Sequence, residues 1–89
     1  MKRKELQARI LDIFREEFEI ENPGLDDNLG ENYEFDSIDA IDLLREIEIL
    51  LDRRLTRAEK KQAMEIRTIN QILDYIEELA AAPSEMTRE

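Results

Sequence analysis

The chain has 89 residues, 42% of them apolar, no cysteine, no histidine and a formal charge of −10 at pH 7. This length allows one domain that buries roughly 60–65% of its chain surface, which leaves little room for a deep enzyme pocket. Without cysteine there is no disulfide, thiol nucleophile or thiolate metal site, and without histidine the commonest general base and transition-metal ligand are missing.

Residues 2–19 read as the first helix, because Leu6, Ile10, Ile13, Phe14 and Phe18 fall on one helical face. Its basic start is followed by a charged amphipathic segment rather than an apolar secretory region, so a cytoplasmic location is expected. Asn22-Pro23-Gly24 breaks the pattern. From Ile20 to Phe35 no periodicity persists, and the segment reads as a long loop pinned by Leu25, Leu29, Tyr33 and Phe35.

A second helix starts at Asp36-Ser37 and runs to about Asp52. Asp36 suits the N-cap, Asp39 adds negative charge to the first turn, and Ile38, Ile41, Leu44, Ile47 and Leu51 form the expected buried stripe. Thr56 with Glu59, and Thr68 with Gln71, are capping-box pairs. The first opens a short third helix with a weak stripe of Ala58, Ala63, Met64 and Ile66. The second opens the last helix, with Ile69, Ile72, Leu73, Ile76 and Leu79 on its inner face. The helix stops before Pro83, so residues 1–82 form the domain and 83–89 a tail. The expected fold is all-α: a small antiparallel four-helix bundle of three main helices and a short third one, with a long first loop.

Charge is unevenly spread. Residues 20–52 hold eleven acidic groups and only Arg45, whereas residues 53–67 hold six basic and two acidic groups. The acidic block argues against nucleic acid and for partner proteins with basic surfaces. No apolar run approaches the roughly 18 residues needed to cross a bilayer, so no membrane role is expected. Starting at Asp26, an EF-hand pattern fails because Gly30 comes too early and the closing Glu is missing, and no metal site is assigned.

Ser37 is one of two serines and stands at a loop–helix junction. An Asp-Ser pair at a helix start is most often only a cap. Two features favour more: a helix N-terminus suits an attached phosphodiester, and the chain has no histidine to make Ser37 a nucleophile. Composition leaves a serine–lysine arrangement open, but no lysine lies between Lys4 and Lys60; if Ser37 does chemistry, receiving a group fits it better than attacking one.

The run Glu34-Phe35-Asp36-Ser37-Ile38-Asp39-Ala40-Ile41-Asp42-Leu43-Leu44 resembles the acyl carrier protein signature, and Thr68-Ile69-Asn70-Gln71-Ile72-Leu73-Asp74-Tyr75-Ile76 resembles the last helix of that family. The resemblance implies a monomeric carrier, not an enzyme. It implies a 4′-phosphopantetheine arm on Ser37, beside the capping Asp36, placed there by a phosphopantetheinyl transferase. Acyl groups would ride on the arm as thioesters between acyl-transfer and chain-building enzymes of fatty-acid, lipid or polyketide-type biosynthesis. Asp39, Asp42 and Glu46 share one helical face next to Ser37, which reads as a docking strip for basic partner residues, with a merely solvated face as the competing role, and Arg45 and Ile49 lie on the same partner-facing surface. The resemblance places an acyl slot on Ile41, Leu44, Leu51, Leu55, Ile66 and Ile69. Ordinary core packing is the competing role for those six.

Departures cluster around the site. Ile38 follows the serine where leucine is usual, Arg45, Ile49 and Leu50 change the helix surface, and the third-helix region is basic where the family is acidic. These changes point to a specialised carrier. The alternative is an unmodified helical adaptor that uses its acidic and basic helices for protein contacts.

Overall fold

The computed structural model describes residues 2–81; the expected tail lies outside them. Five helices follow in order: α1 (Arg3–Glu17), α2 (Leu29–Tyr33), α3 (Ser37–Leu51), α4 (Arg57–Ala63) and α5 (Ile69–Ala81). The described residues contain no strand. The result is a small helical bundle, with one more helix than the sequence pattern had suggested.

The core is built around α5. Ile69, Ile72, Leu73 and Ile76 are fully buried, with Tyr75 and Leu79 nearly so. Against them pack Leu6, Ile10 and Phe14 of α1, Leu43, Leu44 and Ile47 of α3, Leu29 of α2 and Ala63 of α4. Each of the three long helices thus buries one stripe, which a short helix needs in order to hold together in water. Arg3 fastens α1 to α5, with Nη1 donating to Asp74 at 2.8 Å and to Glu77 at 2.9 Å. At the other end of α1, Phe14 and Phe18 pack with Phe35, just before α3, at ring-centroid distances of 5.2 Å. The middle of α1 faces Glu46, Ile49 and Leu50 near the end of α3, so α1 and α3 run antiparallel.

The long loop is not unbroken. Asn28 caps α2 by accepting the Glu31 N–H at 2.9 Å, and Leu29 and Tyr33, one turn apart, face the core. This is the Asn-x-x-Glu form of the pattern visible at Thr56 and Thr68, but five residues with a glycine inside give no readable periodicity. Backbone bonds dock the segment on the start of α5: Leu29 N–H to Arg67 O at 2.8 Å, and Asn70 N–H to Leu25 O at 3.0 Å.

The stripe expected on α3 is corrected. Ile38 is 68% exposed and Ile41 50% exposed, while Leu43, which that stripe omitted, is buried. The buried face is Ala40, Leu43, Leu44, Ile47 and Leu51, rotated away from the isoleucines. On α4 only Ala63 is buried; Ala58 and Met64 are exposed.

A polar knot fixes the α3–α4 link. Asp52 closes α3 in the left-handed conformation at φ 55°. Glu48 then accepts the Leu55 N–H at 2.8 Å, and Glu59 accepts the Thr56 N–H at 2.9 Å and both oxygens face Arg53 Nη2 at 3.1 Å. The Tyr75 hydroxyl donates to the Glu59 carbonyl at 2.6 Å, which ties α4 to α5. Burial pushes the Tyr75 phenol up to about 12. Burial also pushes the Glu59 carboxyl upward, but the Thr56 N–H and the Arg53 guanidinium outweigh it and hold the carboxyl below its ordinary value.

Candidate functional site

The local sequence places Ser37 by a reciprocal cap. Asp36 Oδ1 accepts the Asp39 N–H at 3.0 Å, and Asp39 Oδ2 accepts the Asp36 N–H at 3.2 Å. The capping role therefore belongs to Asp36, not to Ser37. Ser37 is the first residue of α3, it is exposed, and no described residue hydrogen-bonds its hydroxyl. Among the described residues the N–H groups of Ser37 and Ile38 also lack acceptors, which leaves two donors and the positive end of the helix dipole beside that hydroxyl. Phe35, held in the Phe14–Phe18 cluster, steadies the chain two residues upstream.

Ser37 stands at the edge of a groove of about 380 Å³, within the size range of small-ligand pockets. One wall is α3, with Ala40, Leu43, Leu44 and Ile47. The opposite wall is Ala63, Met64, Ile66 and Arg67, in and just after α4. Residues of α2 close one side, and Tyr75 of α5 also lines the space. The lining is mostly apolar next to the hydroxyl, with polar Asp36, Glu31 and Arg67 among the lining residues. Such an arrangement suits a hydrocarbon tethered by a polar end near Ser37.

The residues expected to line a slot are divided by the fold. Leu44 and Ile66 are on the groove walls. Leu55 and Ile69 are buried in the core, Leu51 is half-buried, and Ile41 points to solvent, so none of these four lines the groove. The sequence reading missed Ala40, Leu43, Ile47, Ala63 and Tyr75. Their signal was the i, i+3, i+4, i+7 spacing of Ala40, Leu43, Leu44 and Ile47, obscured by a competing stripe of isoleucines. Among the expected docking residues, Asp42, Arg45 and Ile49 are exposed, whereas Asp39 and Glu46 are half-buried. Asp39 is occupied in the cap. Ile49 is 73% exposed.

The family model for the phosphopantetheine attachment site matches residues 8–76. Acyl carrier protein 2 of Ralstonia nicotianae is 32% identical over 84 residues, covering 92% of this chain and 100% of the relative. No solved structure matches the chain at significant similarity. No described helix is long and apolar enough to cross a membrane. The open hydroxyl and groove, with a family match over most of the chain, lead to one conclusion: the chain belongs to the acyl carrier protein family, as a covalent carrier of 4′-phosphopantetheine rather than a catalyst.

Proposed function

We propose that Ser37 Oγ is the attachment point of the arm, and that the groove beside it shelters the acyl chain. The observation that carries this reading is the exposed, unbonded Ser37 hydroxyl at the first position of α3, opening on an apolar groove. The residues fit the group: two free backbone donors favour a phosphodiester, and Asp36 holds the helix start without using the serine. When bound, the arm supplies a thiol on which acyl groups are held as thioesters.

The chain's own residues do the rest. Asp36 and Asp39 fix the helix start, so the hydroxyl meets a phosphopantetheinyl transferase in one orientation. The exposed face of α3, with Ile38, Ile41, Asp42, Arg45 and Ile49 at i, i+3, i+4, i+7 and i+11, is the surface that this transferase and the acyl-processing enzymes read. Its isoleucines supply area to bury in an interface, and Asp42 and Arg45 set the register. Ala40, Leu43, Leu44, Ile47 and Ile66 take up the hydrocarbon and keep water from it. The cargo is an acyl group of fatty-acid, lipid or polyketide-type biosynthesis. The apolar lining supports that class, and the exposed Arg45 and Ile49 support a dedicated set of partners.

The test is intact-mass spectrometry after co-expression with a phosphopantetheinyl transferase. The expected result is a mass gain of one phosphopantetheine that disappears in Ser37→Ala. A gain that persists in that variant places the arm elsewhere, and no gain in the wild type leaves the unmodified adaptor.

A further inference from the structure

The basic segment after α3 divides into inward and outward cations. Arg53 turns in to Glu59 at 3.1 Å. Arg67 folds back on its own chain, donating to the Met64 and Ile66 carbonyls at 3.0 and 3.2 Å. Arg54, Arg57, Lys60 and Lys61 are exposed and take part in no ion pair among the described residues.

Arg57, Lys60, Lys61 and Met64 stand at i, i+3, i+4 and i+7, so they share the outer face of α4, away from buried Ala63. Met64 is 43% exposed and also lines the groove. Helix stability does not account for this stripe. Lys60 and Lys61 suit the last turn of α4, but Arg57 occupies its first position, where the helix dipole disfavours a cation.

We propose that this outer face of α4 is a second docking surface, for a protein partner that presents carboxylates around an apolar spot. The cations match the carboxylates, and the flexible Met64 thioether fills the spot. A protein fits better than a uniform polyanion. Across the same groove stand Asp36 and the acidic start of α3, which repel nucleic acid or an anionic membrane. A protein can place acidic groups against α4 and basic groups against α3 at once. Opposite charges on the two sides of the groove would then hold such a partner in one orientation, with the mouth of the groove between them. A second copy of this chain is disfavoured, since each copy carries −10.

This surface goes beyond the attachment of the arm, and its test uses the unmodified chain, so failure here leaves the Ser37 reading standing. The probe is a soluble helical peptide with glutamates on one face around a leucine, titrated into the isotopically labelled full chain and followed by amide shifts. The expected result is saturable shifts confined to residues 54–64, with affinity falling as salt is raised from about 50 to about 300 mM. Arg57→Glu/Lys60→Glu/Lys61→Glu should weaken binding by at least about tenfold. The milder Arg57→Gln/Lys60→Gln/Lys61→Gln set, checked for helix content, serves if charge reversal unfolds α4. Absence of shifts on α4 would overturn the proposal. So would equal binding, through the same residues, of a short DNA duplex or phosphatidylglycerol vesicles, and so would concentration-dependent self-association through α4 in sedimentation.

Discussion

Helices α3 and α5 are both rich in isoleucine and leucine, yet they spend these residues differently. In α5, Ile69, Ile72, Leu73, Ile76 and Leu79 all face the core. In α3, Leu43, Leu44 and Ile47 are buried, while Ile38, Ile41 and Ile49 stand in solvent. An apolar helix therefore need not be a core helix. The exposed isoleucines of α3 add nothing to the core; Ile38 and Ile41 lie within about one turn of Ser37 and Ile49 near the far end of the helix, so apolar surface is displayed along its whole length. The contrast between a helix that holds the fold and a helix that displays it can be broken by experiment.

The largest effect should come from α5. Ile72→Ala should cost about 2–5 kcal/mol, a large share of the stability of a small domain, whereas Ile49→Ala on α3 should stay within about 0.5 kcal/mol. Urea denaturation of the two variants measures both, and equal losses would erase the distinction between the helices. A smaller effect should arise in the link between α3 and α4. Glu59→Gln weakens the link to Arg53 and the Thr56 N–H, and should cost about 1–2 kcal/mol at neutral pH. The Glu59 carboxyl is held below its ordinary value in the fold, so its contribution is present above the unfolded value of about 4.3 and is lost as pH falls through the folded one. The gap between wild type and variant should therefore close as pH falls from the ordinary carboxylate value through the lowered one, and a gap that is unchanged there would mean that the carboxylate charge is not what matters. The smallest effect should be a gain. Asp52 adopts φ 55° and places a carboxylate at the negative end of the α3 dipole, so Asp52→Gly should raise stability by about 0.5–1 kcal/mol. A thermal scan decides the sign, and a loss would show that α3 is already tuned for stability.

Much of the fold was legible in the residues. The inner face of α5 was read correctly at Ile69, Ile72, Leu73, Ile76 and Leu79, because its apolar positions repeat on one side only. The capping pairs at Thr56 and Thr68 also stand as bonded, Glu59 N–H to Thr56 Oγ1 and Gln71 N–H to Thr68 Oγ1 both at 3.1 Å. Helix α2 escaped notice because one turn gives no period. Its cap Asn28 shows in the sequence, but its support comes from Arg67, 38 positions along the chain from Leu29, through the backbone bond at 2.8 Å. Of the candidate site, Asp36, Ser37, Leu44 and Ile66 were visible, while Ala40, Ala63 and Tyr75 were not. Small residues and a tyrosine carry no sign of a groove until two helices stand on either side of it.

The sequence by itself determined where α3 begins, since Asp36 and Asp39 cap each other within three residues and leave the Ser37 hydroxyl unused. It did not determine which way α3 faces. Ile38, Ile41, Asp42, Arg45 and Ile49 share the spacing of Ala40, Leu43, Leu44, Ile47 and Leu51, two residues out of step, so α3 carries apolar residues on both stripes. Only the tertiary structure chose between them. Turning the second stripe inward buries Leu43, Leu44 and Ile47 in the core and keeps Asp42 and Arg45 in water, whereas the opposite rotation would take both charges out of water. That cost of desolvation turns the isoleucines outward, Ile38 and Ile41 of them near the serine.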